Sequence, residues 1–411
     1  MLYTHFTQEV LGLQGVIITK IESNEKELTI YAELEKKKHN CISCGTATDT
    51  IHDYRKQIIK DIPAFGKLVS IVLRKRRYRC PRCGKRFLES NSFLPKYHRM
   101  TNRLSAYVIN KLTDERSFTS VSREVNISVT TVMRIFDKVS YPKAKLPTVL
   151  SIDEFKGNTW GEKYQCILTD PVNKRVLDIL PERYDSYLSS YFKQFPKADR
   201  DKVEYFVSDM WKTYSKASDI WFVNATQIVD KYHWIRQAIW AFERIRKEEQ
   251  KKLEPKLRKY FKRSRSLLIK RYDSLKDEEK QQVNVMLYYS VNISRAHWYK
   301  EQFLKILDSK DPVKAKAALT EWIQNAECCG LESFEKCAKT MQNWYSGIIN
   351  SLSSPITNGF TEGCNNKIKV LKRNAYGYKN FRRFRNRILH MFSHQNLYKN
   401  QAAAWRVSRP I

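Results

Sequence analysis

Three kinds of residue in this chain have the type and spacing to do chemistry: acids at the ends of predicted strands, an acid opening a polar helix face, and paired cysteines. Thr148 to Asp153 and Val203 to Asp209 read as buried strands, each ending in an acid. In open α/β sheets, sites form beyond the carboxyl ends of the strands, which is where Asp153 and Asp209 fall. Further on, Thr357 to Lys369 reads as the opening of a helix running to about Arg373. On it Glu362, Asn366, Lys369 and Arg373 recur at i, i+4, i+7 and i+11, a single polar stripe. A carboxylate in line with amides and bases suits a metal ion held beside a phosphodiester. Asp230-Lys231-Tyr232-His233, just after a predicted fifth strand, reads by itself as a polar helix start.

The cysteines carry a second chemistry. Cys41-Ile42-Ser43-Cys44-Gly45 and Cys80-Pro81-Arg82-Cys83-Gly84 are matched knuckles. Two residues between thiolates let both sulfurs reach one ion, and the following glycine permits the turn. Two such pairs make a closed four-thiolate zinc site, which is structural and not catalytic. An odd total of nine cysteines argues against a disulfide framework. The remaining five, Cys166, Cys328, Cys329, Cys337 and Cys364, lack ligand spacing and read as core or incidental residues.

The elements that must position these groups follow in order. Residues 1–100 read as a zinc ribbon with a long insert, whose clearest strand is Lys67 to Leu73. Residues 101–145 read as a helix-turn-helix and linker: Leu104, Val108 and Leu112 on a first helix, then Phe118 to Val125, and a turn at Asn126-Ile127. A third helix follows, capped by Ser128, with Val132, Ile135, Phe136 and Val139 facing inward. Thr130, Thr131 and Arg134 are left outward on the candidate recognition helix. Tyr141 to Pro147 reads as the linker. Residues 146–231 then read as strands Thr148 to Asp153, Tyr164 to Thr169 and Arg175 to Leu180, a helix Tyr184 to Phe195, and strands Val203 to Asp209 and Trp221 to Val229. Three antiparallel strands, a crossover helix and two further strands compose the first part of a ribonuclease H-like core. Residues 232–350 read as an all-helical insertion whose tryptophans (Trp234, Trp240, Trp298, Trp322, Trp344) suit packing better than base stacking. Residues 351–411 hold the last helix of the core and a basic tail. The expected class is therefore a multidomain α/β protein.

Charge indicates the partner. Across 411 residues, 75 Lys and Arg stand against 43 Asp and Glu, a formal charge of +32. Self-repulsion on that scale points to a polyanion, and aromatic residues at 12% with no amphipathic tail favour nucleic acid over a membrane surface. The basic residues lie in three zones: Lys67 to Arg103, centred on Arg74-Lys75-Arg76-Arg77; Arg244 to Arg271; and everything after Glu362, where no acid occurs. No apolar run reaches the roughly 18 residues a membrane helix needs, and Met1 to Phe6 does not open a secretion signal. The expectation is a cytoplasmic protein that binds double-stranded DNA and no membrane.

With these motifs assembled, the chain resembles the DDE transposases of bacterial insertion sequences, and more narrowly the ISL-three family. The resemblance covers essentially the whole chain. Its most specific carriers are Ser151-Ile152-Asp153-Glu154-Phe155-Lys156-Gly157, Val207-Ser208-Asp209-Met210, Thr357-Asn358-Gly359 with Glu362-Gly363-Cys364-Asn365, and Gly377-Tyr378-Lys379-Asn380-Phe381-Arg382-Arg383-Phe384-Arg385. It implies that Asp153, Asp209 and Glu362 form the catalytic triad and bind Mg²⁺ or Mn²⁺. It also implies cleavage at terminal inverted repeats, strand transfer into target DNA by a two-metal mechanism, and a homodimer in the synaptic complex of a nucleoid-associated bacterial protein. Several related transposase families carry an acid or Cys followed three residues later by His after this strand, which implies an auxiliary role for Asp230 and His233 near the cleaved end. Neighbours on a strand point to opposite faces, so only one of Asp153 and Glu154 is expected in the site; Asp153 shares parity with Ser151 and stands where the family's first acid does. Arg74, Lys75, Arg76, Arg77, Thr130, Thr131, Arg134, Arg373, Arg382 and Arg383 are the expected DNA contacts. A DNA-binding regulator derived from such an enzyme, without catalysis, shares every feature except the use of the triad. A metal-dependent nuclease shares the core without strand transfer.

Overall fold

A computed structural model describes residue 12 and residues 15–159, 161–309 and 311–393. The chain divides into two compact units. One comprises the residues up to Tyr141 with Val370–Gly377 and the chain from Arg382; the other comprises Pro142–Lys369 and Tyr378–Phe381.

In the first unit, strands β1 (Val16–Ser23) and β2 (Glu27–Leu34) are followed by a small ribbon, β3 (His39–Asn40) and β4 (Ala47–Thr48). A long hairpin, β5 (Ile51–Ala64) and β6 (Lys67–Arg79), comes next, then β7 (Arg86–Leu88). The sheet order is β1-β2-β6-β5, with β7 also paired to β6. The hairpin turns on Phe65 and Gly66, both at positive φ (53° and 73°), the twist that a two-residue connection between antiparallel strands requires. Alternate residues Ile71 and Leu73 of β6 join Ile59 and Ala32 in the core, as period-two burial dictates.

Helices α1 (Asn102–Lys111), α2 (Phe118–Val125) and α3 (Val129–Phe136) follow. Each is capped by a hydroxyl: Thr101 accepts from the Leu104 N–H, Ser117 from Ser120 and Ser128 from Thr131. Asn126, left-handed at φ 49°, ends α2 and makes the expected turn. Val139 lies past the end of α3 and is only half-buried, so the expected inward face stops at Phe136. Residues 139–147 form neither helix nor strand.

The second unit begins with β8 (Val149–Thr159), β9 (Glu162–Asp170) and β10 (Arg175–Leu180). Next come α4 (Asp185–Lys193), α5 (Lys197–Arg200), β11 (Tyr205–Ser208), α6 (Lys212–Trp221) and β12 (Thr226–Val229). The sheet order is β10-β9-β8-β11-β12, with β8, β9 and β10 antiparallel and β8, β11 and β12 parallel. Two expectations are corrected. Trp221 closes α6 and does not open a strand, because Tyr214 and Ala217 bury one face of a helix against the sheet. Asp153 does not end its strand: β8 runs on to Thr159 in a hairpin with β9, so Asp153 marks the row where the parallel neighbour stops.

Residues 231–353 are helical: α7 (Lys231–Lys252), α8 (Pro255–Arg263), α9 (Arg265–Ile269), α10 (Asp277–Tyr288), α11 (Val291–Ile306), α12 (Pro312–Glu327), α13 (Glu332–Asn343) and α14 (Tyr345–Ser353). Two of the helical stretches, residues 231–263 and 277–306, are each broken in two. Pro255 cannot donate into a preceding turn and instead opens α8, and the Ser290 hydroxyl caps α11. Trp234 and Trp322 sit in this core, whereas Trp240 and Trp298 are 40% and 52% exposed, so packing explains only part of the tryptophan content. Helix α14 covers the free edge of the sheet. Gly347 meets Val229, where an added Cβ would come within 2.6 Å of a methyl, and Asn350 donates to the Gln227 carbonyl. Two further helices, α15 (Gly359–Asn374) and α16 (Phe381–Ser393), end the described chain.

One sheet face is apolar, with Leu150, Ile152, Leu168 and Phe206 packed against Leu188, Phe192 and Tyr214. On the other, Ser151 and Thr169 are fully buried and polar. The Ser151 hydroxyl donates to Asn358 Oδ1 (2.6 Å) and lies 3.2 Å from Thr361 Oγ1, which is 2.8 Å from Thr169 Oγ1. This cluster pins the first turn of α15 to the sheet. Thr361→Val should leave the buried Thr169 hydroxyl without its partner and lower stability by about 1–3 kcal/mol. Thr361→Ser should retain most of it, as thermal melts of the two variants would show.

Candidate functional site

The four knuckle cysteines converge. Cys41 Sγ lies 3.6 Å from Cys83 Sγ, and Cys44 Sγ lies 3.5 Å from both Cys80 and Cys83 Sγ. A tetrahedral zinc with bonds of about 2.3 Å has edges of roughly 3.8 Å, so the donor set fits. The knuckles are matched in backbone as well: Gly45 donates to the Cys41 carbonyl and Gly84 to Cys80, both glycines at φ near +70°. No cysteine is in a disulfide. Chelating the zinc, or Cys80→Ser, should open the end of the β5–β6 hairpin. Limited proteolysis would then show new cuts before residue 100 and an intact Pro142–Lys369 unit.

The candidate recognition helix α3 presents Thr130 and Arg134 exposed. Thr131 is half-buried and its hydroxyl lies 2.8 Å from that of Ser128, so part of its hydrogen-bonding capacity is spent at the cap. The basic run on β6 is not a free patch. Arg76 is buried between Glu33 and Glu89, Arg74 pairs with Glu33, Arg77 pairs with Asp53, and Lys75 donates to Gln57. Strand alternation sends these four side chains to opposite faces, and acids on flanking strands meet them. Arg383 is likewise paired, with Asp137 at 2.7 Å, while Arg382 is exposed. Helix α16 is a packing element of its unit and not a loose basic tail. Phe384 and Ile388 are fully buried, and the buried Arg387 donates to the carbonyls of Leu112, Asp114 and Arg116, which the turn after α1 leaves open. Arg373 is exposed in a groove with Glu115 and Arg116.

In the second unit, a cavity of about 460 Å³ is lined by Asp153, Glu154, Asp209, Tyr232, His233, Arg236, Glu362, Asn365, Asn366 and Lys369. Asp153 comes from β8, Asp209 follows β11, Asp230 and His233 stand at the junction of β12 and α7, and Glu362 lies on the first turn of α15. Asp153 Oδ1 accepts from the Glu154 N–H (2.7 Å) and Oδ2 from Asn365 Nδ2 (2.9 Å). Asp209 Oδ1 and Asp230 Oδ2 are buried without a hydrogen-bond partner. Glu362, His233 and Asp230 place one ligand atom each within 4.8 Å of one another; Asp153 and Asp209 line the same cavity but are not in that tight group. Asn366 and Lys369 also reach this cavity, as expected from the helical stripe, but Arg373 does not line it.

Glu154 lines the cavity beside Asp153, against the expectation that only one of the two would. Alternation still holds, because Glu154 is ion-paired to Arg183 while Asp153 meets α15. Pairing of β8 to β11 ends at Ser151, so beyond it both faces of β8 border the opening. Sequence reading also missed Asn365, Tyr232 and Arg236. Helical spacing was the available signal, since Asn365 is three residues after Glu362 and Arg236 three after His233.

Burial raises the Asp153 carboxyl to about 7, with Asp209 nearby adding to it. Burial likewise raises Asp209 to about 7, Glu154 contributing next, and raises Asp230 to about 6, with Glu362 as the next cause. His233 is lowered by burial and by Arg236. Crowding buried carboxylates without cations is unfavourable, and a divalent ion reverses it. A carboxyl whose folded pKa is raised costs stability increasingly as pH rises above its ordinary value, and the full cost is reached above the raised one. Asp209→Asn should therefore stabilise the metal-free protein by on the order of 1–3 kcal/mol at pH 8 and by little near pH 4, measured by thermal melts.

Comparison with known proteins gives these sites a common identity. A family described as "Transposase" matches residues 150–388. "Helix-turn-helix domain of transposase family ISL3" matches residues 89–140, and "zinc-finger of transposase IS204/IS1001/IS1096/IS1165" matches residues 37–83. The "Transposase for insertion sequence element IS1001" of Bordetella parapertussis is 25% identical over 390 residues, 92% of this chain and 96% of that protein. An "ATP-dependent protease" of Lactococcus lactis subsp. lactis is 36% identical over 89 residues, 22% of this chain and 27% of that protein. Among the described residues no helix is long and apolar enough to cross a membrane. Three matches in chain order, one of them covering more than half of the residues, establish that the chain belongs to the ISL3 family of insertion-sequence transposases and carries a zinc ribbon, a DNA-binding helix-turn-helix and a DDE transposase domain.

Proposed function

We propose that the protein binds the terminal inverted repeats of its insertion sequence, cleaves strands there, and joins the freed ends to target DNA by a two-metal DDE mechanism. The observation that carries this is the single cavity lined by Asp153, Asp209 and Glu362 together with Lys369 and Arg236. The sheet order 3-2-1-4-5, read in chain order of its strands, supports a ribonuclease H-like core, with helices α7–α14 as an all-α insertion before the helix that bears Glu362. Asp153, Asp209 and Glu362 would hold Mg²⁺ or Mn²⁺, and the partnerless Asp209 Oδ1 suits a cation. When bound, such ions lower the pKa of the attacking hydroxyl and neutralise charge on the phosphate. Asn365 keeps the Asp153 carboxylate aimed. Lys369, held by Asn366 Oδ1 at 3.2 Å, and Arg236 supply positive charge to the phosphate oxygens.

Thr130, Thr131 and Arg134 of α3, with the exposed Arg382 and Arg373, would meet DNA in the first unit, and Arg74, Lys75 and Arg77 would keep a share of phosphate contact beyond their pairing. Arg76 and Arg383 are assigned to holding the fold. Pairing two ends implies a homodimer in the synaptic complex, in a cytoplasmic, nucleoid-associated protein.

The test uses the full chain with Mg²⁺ or Mn²⁺, DNA carrying the repeats that flank its gene, and a supercoiled target. Wild type should cut at the repeat ends and yield joined products, whereas Asp209→Asn should lose both by at least a thousandfold. Binding without metal-dependent cleavage would leave a DNA-binding regulator, and cleavage without joined products would leave a nuclease.

A further inference from the structure

Glu362 belongs to a second liganding group besides the one assigned to catalysis. We propose that Asp230, His233 and Glu362 hold a divalent first-row transition-metal ion, Mn²⁺, Co²⁺ or Zn²⁺, through two carboxylates and one imidazole nitrogen. Among the described residues, only these three and the four knuckle cysteines bring three or more ligand atoms within 4.8 Å of one another. Ligands bound at about 2.1 Å stand roughly 3 Å apart when adjacent and about 4.2 Å when opposite in an octahedral shell, so small carboxylate rotations close the set.

A second observation points to a ligand. The Asp230 side chain is only 6% exposed, yet its Oδ2 has no hydrogen-bond partner. It makes no capping hydrogen bond to α7, although it occupies the cap position. His233 Nε2, 3.7 Å from that oxygen, is too far for a hydrogen bond but well placed for a shared ion. The backbone holds both residues in register, since the Asp230 N–H donates to the Ser208 carbonyl and the His233 N–H to the Asp230 carbonyl.

An imidazole among carboxylates selects Mn²⁺, Co²⁺ or Zn²⁺ over Mg²⁺, which takes oxygen ligands. The group is distinct from Asp153 and Asp209 and does not require that either be catalytic. With Glu362 common to both sets, an ion here would also fix the carboxylate that faces the other pair.

The test is Co²⁺ titration of the full chain with its zinc ribbon already loaded with Zn²⁺, followed by calorimetry and visible d–d absorption. Sulfur-to-cobalt charge-transfer bands would reveal any exchange at the cysteines. Wild type should bind one Co²⁺ with a nitrogen-bearing spectrum, in addition to any ion taken up by the oxygen ligands Asp153 and Asp209. His233→Gln and Asp230→Asn should each weaken that binding at least tenfold and change the spectrum. The double variant Asp153→Asn/Asp209→Asn should keep the band, which separates this site from the proposed catalytic one. His233 is 32% exposed, so His233→Gln should fold, and its melt in metal-free buffer should match wild type. Co²⁺ affinity and spectrum unchanged in both His233→Gln and Asp230→Asn would overturn the proposal, as would a band lost only in the Asp153→Asn/Asp209→Asn protein.

Discussion

The placement of Glu362 depends on a buried polar joint between residues 192 to 210 positions apart. Ser151 and Thr169 on the sheet meet Asn358 and Thr361 at the start of α15, and all four are fully buried. Hydroxyls taken from water must find partners, and here each sheet hydroxyl finds its partner on the helix. That requirement sets the rotation of α15, so the next residue, Glu362, turns toward the cavity. Three residues later Asn365 donates to Asp153. An apolar joint would have allowed the helix to roll; hydrogen bonds with direction do not.

The rest of the site is an electrostatic imbalance held in place by this joint. A chain with a net charge of +32 buries Asp153 and Asp230 and half-buries Asp209 around one cavity, with two carboxylate oxygens lacking partners. Arg183 is committed to Glu154, while the exposed Lys369 and the half-buried Arg236 line the same cavity. Carboxylates and bases on one lining suit a cation together with a phosphate. Basic residues elsewhere are often occupied in folding: Arg76, Arg77, Arg383 and Arg387 each satisfy carboxylates or helix-end carbonyls in the first unit.

Local patterns were legible wherever the physics is local. The cysteine knuckles needed only a two-residue gap and a glycine, and the helix cap at Ser128 needed only a hydroxyl before an apolar stripe. Periodicity was less reliable where a strand and a short helix share an apolar face, as at Trp221, and where a proline or a capping serine interrupts a helical stripe, as at Pro255 and Ser290.

From the sequence by itself came the order of the parts, the four thiolates, and the acids Asp153, Asp209 and Glu362 as members of a site, because these rest on spacing and residue type. Only the tertiary structure decided which basic side chains are already paired, since the partners Glu33, Asp53 and Asp137 come from other elements. Only it brought Glu154 to the cavity, because the end of β11 exposes both faces of β8 there. Only it put Asp230 and His233 within reach of Glu362, because that distance is set by how α7 and α15 enter the sheet, and no spacing along the chain encodes it.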